Sequence, residues 1–169
     1  MSQPLSPVTI YTDGACIGNP GPGGYGTVLL YGEHRKELSG GYRLTTNNRM
    51  EMMAAIVGLQ TLKHQCAVTV YSDSKYVVEA IMKGWAVRWR AKGWKRTQTK
   101  SPANADLWQQ LLTLCEHHQV EFCWVKGHSG NVENERCDRL AVAAAKQPNL
   151  PIDERYEAKE TASEQSALF

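Results

Sequence analysis

The chain has 169 residues, a length typical of one domain, and 42% of them are hydrophobic, as in an ordinary soluble globular protein. No apolar run approaches the length of a membrane span, and residues 1–7 lack the basic start and apolar stretch of a secretory signal, so we expect a short flexible lead-in there. The five cysteines are odd in number and scattered, which predicts reduced thiols and a cytoplasmic protein.

The charge of the chain is unevenly distributed. The formal net charge is only +2, but the segment from Ala80 to Ala105 has no acidic residue and holds seven of the 19 lysines and arginines. The rest of the chain carries the other 12 against 17 acidic residues. A basic segment on a mildly acidic protein favours a polyanionic partner at that segment.

Hydrophobic patterns predict, in chain order, three strands, a helix, a strand, a helix, the basic segment, a helix, a strand and a last helix. The predicted strands cover residues 8–12, 25–31, 37–44, 68–72 and 121–126. The predicted helices cover residues 48–63, 74–83, 104–117 and 132–146. Asn47 and Asn131 are the expected N-caps of the first and last helix, and the glycines and prolines of residues 18–24 predict a turn-rich loop.

The order of these elements predicts an α/β fold. The first three strands form an antiparallel meander, and the later alternation of strands with helices indicates a mixed sheet with helices on both faces. We expect one domain over residues 8–147. Residues 148–169 contain five acidic residues against two basic ones, and we interpret them as a flexible acidic tail.

Two acids end near-duplicate strand segments. Asp13 follows an Ile-Tyr-Thr run, and Asp73 follows a Val-Tyr-Ser run. Each could simply be a turn residue at the end of a strand. Taken with two further acids on helices, the duplication favours a shared site instead.

Two further acids lie on helical faces that should be apolar. The neighbours of Glu51 at three, four and seven positions along the helix are alanine, alanine and glycine, and Asp138 has a similar alanine and valine face. The structural alternatives are a first-turn glutamate that favours the helix dipole and an ion pair of Asp138 with Arg136 or Arg139. A buried acid is unfavourable unless it is paired or binds a cation, so the four acids together favour a site for a hard divalent metal.

One histidine stands out from the other four. His128 lies in a loop between the last strand and the helix that carries Asp138, where it could titrate near neutral pH and move protons. A zinc site of Cys115, His118, Cys123 and His128 is a weaker alternative, because the short-spaced ligand pairs of zinc modules are missing.

The basic segment alternates aromatic rings with cations. Such a surface binds phosphates with its cations and sugars or bases with its rings, although we expect one or two tryptophans to anchor a helix to the core. The residues concerned are Trp85, Arg88, Trp89, Arg90, Lys92, Trp94 and Lys95, followed by Trp108.

Taken together, these segments of the sequence resemble type 1 ribonuclease H. The resemblance covers residues 8 to about 147, and its motifs occur in family order. They are YTDGA at 11–15, GNPGPGGYG at 18–26, TTNNRME at 45–51, YSDS at 71–74, VKGHSG at 125–130 and ENERCD at 133–138.

The resemblance implies a ribonuclease H-like fold with a five-stranded mixed sheet flanked by helices on both faces. It also implies endonucleolytic cleavage of the RNA strand of RNA–DNA hybrids, with 5′-phosphate and 3′-hydroxyl products, by a monomer. Two Mg²⁺ ions would act in the active site with substrate, and Mn²⁺ could replace them. The alternatives are a non-catalytic module that binds hybrids or duplexes and another nuclease on the same fold, such as a junction resolvase.

The resemblance also assigns roles to single residues. Asp13, Glu51, Asp73 and Asp138 match the metal-binding acids, and His128 matches a mobile histidine that aids proton transfer or product release.

The remaining matches concern nucleic acid. Residues 84–101 match a basic protrusion that grips the DNA strand, and Lys75 stands where some members have a glutamine that touches the minor groove. The protrusion and nearby contacts are Trp85, Arg88, Lys92, Lys95 and Trp108. Thr46 and Asn47 match a DNA-phosphate pocket, whereas Cys16, Asn19, Asn48 and Glu51 match positions near the RNA 2′-hydroxyl groups.

Overall fold

The computed structural model describes residues 4–95 and 103–168, with side chains up to Thr161. Five strands form one sheet in the order β3-β2-β1-β4-β5. The strands are β1 Ser6–Cys16, β2 Gly21–Tyr31, β3 His34–Thr45, β4 Cys66–Ser72 and β5 Gln119–Trp124. The first three pair antiparallel, and β4 is parallel to both β1 and β5, which confirms the mixed sheet.

Six helices complete the described part of the chain. They are α1 Asn47–Thr61, α2 Lys75–Met82, α3 Trp85–Ala91, α4 Ala105–His117, α5 Val132–Ala145 and α6 Glu154–Leu168. None of these helices has the length and apolar character needed to cross a membrane.

The helices cover both faces of the sheet. The hydroxyl of Thr27 on β2 donates to the carbonyl of Ala54 on α1 at 2.7 Å. Gly24, an odd number of positions away on the same strand, faces α5, where an added Cβ would lie 2.2 Å from the carbonyl oxygen of Ala141. Because side chains alternate across a strand, α1 and α5 lie on opposite faces. The predicted two-sided fold is therefore confirmed.

The same close packing explains why the glycine-rich stretch is not only a loop. We predicted a turn over residues 18–24, but Gly21 already begins β2, and Gly23 and Gly24 pair with β1. Glycine and proline normally disfavour strands, so their local signal indicated a turn. At Gly24 the missing side chain lets α5 approach the sheet.

The cap of α1 also differs from the prediction by one residue. Thr46, not Asn47, is the N-cap, and its hydroxyl oxygen accepts from the backbone N–H of Arg49 at 3.2 Å. The predicted cap of α5 is confirmed, because the side-chain oxygen of Asn131 accepts from the Asn134 N–H at 2.9 Å.

Secondary structure extends further toward both ends of the chain than predicted. Strand β1 begins at Ser6, so residues 6 and 7 of the expected lead-in belong to the sheet. The expected flexible tail contains helix α6, and Asp153 just before it is only 6% exposed. A tail with so many acids lacks the apolar pattern of a docked helix, and it is held instead by ion pairs that local sequence cannot reveal.

Candidate active site

The sheet register places the two strand-end acids side by side. In the parallel pair β1–β4, Tyr11 is opposite Tyr71 and Thr12 is opposite Ser72, so Asp13 and Asp73 follow at the same edge of the sheet. The tyrosine rings stack with centroids 4.9 Å apart. The near-duplicate segments of the sequence are therefore neighbours in space.

A close helix–strand approach brings Glu51 to the same edge. Gly14 follows Asp13 directly, and a Cβ added there would lie 2.5 Å from the backbone nitrogen of Glu51. Only glycine permits this approach, because the obstructing atom belongs to the backbone and cannot move aside. The carboxylate of Glu51 thus points at Asp13 from the buried face of α1, as predicted, and not from its first turn.

The three acids form one tight cluster. Asp13, Glu51 and Asp73 each offer a carboxylate oxygen within 4.8 Å of the others. They lie in an open cleft of about 340 Å³, to which Asp138 and His128 also contribute. Asn47, Ser74 and Gly14 complete its lining.

The electrostatics of the cluster are unfavourable without a cation. Burial, reinforced by the negative charge of Asp73, raises the pKa of Asp13 from 3.8 to about 7. Burial and then the charges of Asp13 and Asp73 raise the pKa of Glu51 well above its ordinary value of 4.5. Both shifts have the causes expected for like charges in a desolvated site.

The donor set fits a hard divalent cation. One carboxylate oxygen of Glu51, Oε2, is buried without any hydrogen-bond partner. A buried acceptor of this kind is uncommon in a folded protein and calls for an unseen partner. All donors are oxygens, which suits Mg²⁺ or Mn²⁺ better than zinc.

Asp138 lies on α5 in the same cleft but outside the tight group of three. Its negative charge also contributes to the raised pKa of Asp13. The alternative partner Arg136 is engaged elsewhere, because its guanidinium donates to both carboxylate oxygens of Glu37 at 2.7 and 2.9 Å. An ion pair with Arg136 therefore does not explain Asp138.

His128 is exposed at the rim of the cleft. Its backbone has a φ of 54°, in the left-handed region that a non-glycine residue rarely adopts. Its exposed ring faces the cleft that holds Asp138, as the sequence predicted.

The weaker zinc alternative gains no support. In the described part of the chain, the acid cluster is the one group of histidines, cysteines and acids close enough to share a metal. The ring of His118 is used internally, because its Nδ1 accepts from the Cys66 N–H at 3.1 Å. All five cysteines are free.

The residues matched to a phosphate pocket and to 2′-hydroxyl contacts lie beside the cleft. Asn19 extends from the β1–β2 connection, and its side-chain oxygen accepts from the backbone N–H of Asn47 at 3.0 Å. Asn48 is exposed, and Thr46 and Asn47 are half-buried at the start of α1. The thiol of Cys16 lies 3.5 Å from the carbonyl oxygens of Gly21 and Thr45. These residues therefore occupy one surface next to the acids.

The described part of the basic protrusion separates anchors from exposed cations. Trp89 packs edge-on against the Trp108 ring, with centroids 6.0 Å apart, and Trp85 is half-buried against the core. Arg88, Lys92 and Lys95 are exposed. Residues 96–101 of the predicted protrusion lie outside the described residues.

Trp108 is a correction. We expected it to contact nucleic acid, but it is 0% exposed, and its indole N–H donates to the hydroxyl of Tyr76 at 3.1 Å. A tryptophan near a basic segment predicts either a binding ring or a core anchor, and its position on the apolar face of α4 decides for the core.

Lys75 does not reach freely into the cleft. Its ammonium nitrogen lies 4.9 Å from the centre of the Trp124 ring, a cation–π contact. Trp124 is 45% exposed, and its indole N–H donates to the backbone carbonyl of Asp73 at 3.1 Å. The sequence analysis did not identify this support for Asp73, because Trp124 ends the apolar run of β5 and its contact with Asp73 depends on the pairing of β5 with β4.

Arg49 is a second residue that the sequence reasoning passed over. Its side chain is 4% exposed and makes paired hydrogen bonds to both oxygens of Asp106 and of Asp153, at 2.8 to 3.0 Å. Although burial acts to lower it, the pKa of Arg49 is raised by these two carboxylates. An arginine on the buried side of a helix start was the signal that could have revealed it.

Comparison with known proteins agrees with the site. The family model described as RNase H matches residues 6–146. A curated relative named Ribonuclease H, from Rippkaea orientalis, is 66% identical over 159 residues, covering 94% of this chain and 98% of its own.

Solved structures show the same fold. LC9-RNase H1, described as a type 1 RNase H with the type 2 active-site motif, superposes with a TM-score of 0.76 at 31% identity, over 86% of this chain and 74% of its own. LC11-RNase H1 in complex with an RNA/DNA hybrid superposes with a TM-score of 0.63 at 26% identity, over 82% of this chain and 96% of its own. Together with the acids at the edge of the sheet, these matches show that the chain belongs to the ribonuclease H family, as a type 1 member.

Proposed function

We propose that this chain is an endoribonuclease that cleaves the RNA strand of RNA–DNA hybrids and leaves 5′-phosphate and 3′-hydroxyl ends. One observation supports this most strongly. Asp13, Glu51 and Asp73 converge within 4.8 Å in an open cleft, and one oxygen of Glu51 is buried without a partner. Such a cluster has no structural use of its own, but it fits a metal-dependent phosphodiester hydrolase.

The cofactor in this proposal is Mg²⁺, with two ions in the active site when substrate is bound and Mn²⁺ as a substitute. Asp13, Glu51, Asp73 and Asp138 would hold the ions. When bound, the ions supply an activated water and stabilise the leaving oxygen of the phosphodiester. The all-oxygen donor set supports this choice of metals.

The protein's own groups orient the reaction. Gly14 fixes the approach of α1 to β1, and the Trp124 indole holds the backbone of Asp73, so the acids are positioned before substrate arrives. His128, exposed at the rim beside Asp138, accepts or delivers a proton as the product leaves. Its loop position allows the ring to move toward and away from the cleft.

Discrimination for hybrids comes from the surface beside the acids. Cys16, Asn19 and Asn48 read the RNA 2′-hydroxyl groups, and Thr46 with Asn47 binds a DNA phosphate. In the wide minor groove of an A-like duplex both features are accessible together. The complex of LC11-RNase H1 with a hybrid supports this use of the shared fold.

The basic protrusion holds the DNA strand in this proposal. Arg88, Lys92 and Lys95 provide exposed cations, and Trp85 offers a half-buried ring edge. Lys75 is held over the ring of Trp124, whose indole N–H donates to the backbone carbonyl of Asp73, and would meet the minor groove from there. We further propose a cytoplasmic monomer, in keeping with five free cysteines.

The test is cleavage of an end-labelled RNA–DNA hybrid, beside DNA duplex and RNA duplex, with Mg²⁺ and with a chelator. Metal-dependent cutting confined to the RNA of the hybrid is the expected result. Binding without cutting would favour a non-catalytic module, and cutting of branched DNA in place of hybrid would favour another nuclease on this fold.

A further inference from the structure

A second cleft lies beside the first turn of α1, and among the described residues it shares no lining residue with the cleft that holds the acids. It has a volume of about 610 Å³. One wall carries Asn19, Thr46 and Asn48, which the proposed function places against the hybrid, and the facing wall carries Arg155, Tyr156 and Lys159 of α6. The C-terminal helix therefore borders the nucleic-acid surface, although no sequence motif of that surface extends so far.

The helix is attached to the domain by buried charge. Asp153, directly before α6, accepts from Arg49 at 2.8 and 3.0 Å and from the hydroxyl of Thr45 at 2.7 Å. Thr45 directly precedes Thr46, the N-cap of α1, and Arg49 follows Thr46 by three residues. The position of α6 is thus fixed relative to the phosphate pocket.

A second attachment lies one turn further along. Glu157 accepts from two nitrogens of Arg43 at 2.9 and 3.0 Å, and the backbone N–H of Arg43 donates to the carbonyl of Pro151 at 2.9 Å. Asp153 and Glu157 are four residues apart, so they mark one face of the helix, which is directed toward β3 and α1.

The cations of α6 occupy a different face. Arg155 and Lys159 are also four residues apart, but each is offset by two positions from the attached acids, which rotates them about half a turn around the helix axis. Both are exposed, and within the described residues neither takes part in an ion pair. Glu157 of α6, with Asp153 just before the helix, is therefore directed toward the domain, and two cations that have no ion pair among the described residues are directed toward the cleft. Glu160 is the one acid of α6 that also borders the cleft, so it opposes this positive charge.

We propose that Arg155 and Lys159 of α6 bind the sugar–phosphate backbone of the hybrid beyond the Thr46–Asn48 surface, which lengthens the duplex held by the enzyme. This rests on the proposed function, because that function places a duplex at Asn19 and Asn48. A duplex that continues past these residues presents a row of phosphates to the facing wall. Two exposed cations one helical turn apart fit that row, and each phosphate contact adds to affinity and to its salt dependence.

The first test is the full-length double variant R155Q/K159Q, assayed for cleavage of a long hybrid. We expect KM to rise roughly threefold to tenfold with kcat unchanged, because the contacts are remote from the acids. In the Asp13→Asn background, where binding is measured without cleavage, the slope of log Kd against log salt should fall by about 2, one for each lost phosphate contact. Glutamine keeps the helix propensity, and thermal unfolding checks that α6 remains attached.

The matched control is K36Q/K63Q. It removes the same charge from exposed lysines that border a cavity lined by Ser6, Val8 and Cys66, at the other end of β1 and β4. We expect KM to change less than about twofold, since remote surface charges are screened at ordinary salt. Equal losses in both double variants would mean that net charge alone matters, which would overturn the proposal.

Three further measurements test the proposal. A short hybrid that spans only the acids and the Thr46–Asn48 surface should be cleaved equally well by the wild type and by R155Q/K159Q.

The variant Glu160→Gln should lower KM for the long hybrid, because it removes the opposing charge. Neutral methylphosphonate linkages in the DNA strand distinguish the two strands: if they remove the difference between wild type and variant, the contact is to DNA, and otherwise to RNA.

The outcomes separate this proposal from the proposed function. If the wild type cuts hybrids but R155Q/K159Q has the wild-type KM and salt slope, the α6 contact is wrong and the nuclease assignment stands. If the wild type cuts no hybrid, the nuclease assignment is wrong, and this contact falls with it.

Discussion

Arg49 and Glu51 lie two residues apart on α1, and each is only 4% exposed, yet their surroundings within the chain are opposite. Arg49 is fully paired with Asp106 and Asp153, whereas Glu51 faces two other acids and keeps one oxygen without a partner. A buried charge that serves the fold finds its partners within the chain. A buried charge that serves chemistry is left for a partner that comes from outside.

The largest expected effect is the loss of cleavage when the unpaired cluster is changed. Asp13→Asn or Asp73→Asn should lower kcat on a hybrid by on the order of a thousandfold or more, because the metal loses a charged ligand. Hybrid binding should persist or tighten, since a negative charge facing phosphate is removed. Steady-state cleavage and filter binding measure the two effects.

The matched control is an acid of the paired cluster. Asp106→Asn should leave kcat of the folded protein within a few-fold of wild type. Full activity in either Asp13→Asn or Asp73→Asn would contradict the metal assignment.

Breaking the paired cluster should affect stability instead. Asp153→Asn should lower the free energy of unfolding by about 2–3 kcal/mol, less than the usual 3–5 for a buried ion left alone, because Asp106 still pairs with Arg49. Chemical denaturation of the metal-free protein measures this.

The paired comparison is Glu157→Gln, which breaks the pair with the 57% exposed Arg43 and should lower the free energy of unfolding far less than Asp153→Asn, because solvent screens an exposed pair. An equal loss in both variants would mean that burial of Arg49 adds nothing. Because Asp153 pairs with the buried Arg49, removing residues 149–169 should also destabilise the protein, although the sequence analysis predicted only a flexible tail there.

The unpaired cluster should itself reduce stability at neutral pH. The pKa of Asp13 is raised from 3.8 to about 7, so the folded protein keeps a proton that the unfolded chain releases above pH 3.8. Metal-free stability therefore falls as the pH rises through this window, and the full cost is present above about pH 7.

Asp13→Asn should thus raise the free energy of unfolding at pH 8, by at most about 4 kcal/mol at about 1.4 kcal/mol for each pKa unit, and have little effect at pH 3. Denaturation of the metal-free proteins at both pH values tests the sign. A variant that is less stable than wild type at pH 8 would show that Asp13 has a structural partner.

The smallest expected effect concerns His128, which lies at the rim of the cleft and is not needed to hold the acids in position. His128→Ala should lower kcat by roughly tenfold without abolishing it, because a proton-transfer group is lost while the acids remain. His128→Asn is the control for the left-handed backbone, since asparagine tolerates a positive φ and cannot move the proton. Similar rates for the two variants would assign the loss to the ring, and complete inactivity would assign His128 to the metal ligands.

The sequence predicted those features whose signal is local. Asp13 and Asp73 stand at the ends of matching strands, and Glu51 and Asp138 interrupt apolar helical faces. The register of β1 and β4 places Asp13 beside Asp73, and all four acids line one cleft. The mixed sheet followed from the order of strands and helices.

Features that depend on distant partners escaped prediction. Asp153 is 104 residues from Arg49 in the chain, so nothing near it indicated a buried ion pair or an attached helix. Trp108 lies in sequence close to the basic segment, and its place in the core follows from the apolar face of α4 and from its packing against Tyr76 and Trp89. The glycines at the start of β2 indicated a turn locally, whereas Gly24, together with Gly26, admits α5 to the sheet.

The placement of Trp124 gives the enzyme a built-in optical probe. Its indole is 45% exposed and is hydrogen-bonded to the backbone of Asp73, whereas Trp108 is fully buried. Buried and exposed indoles differ in emission wavelength, and Trp124 is the most exposed of the five tryptophans, so its emission can be separated from that of the half-buried Trp85, Trp89 and Trp94 by subtracting the emission of a variant without it. Titration of the native protein with Mg²⁺ can therefore be followed by fluorescence, with a Trp124→Phe variant as the blank and without any attached label.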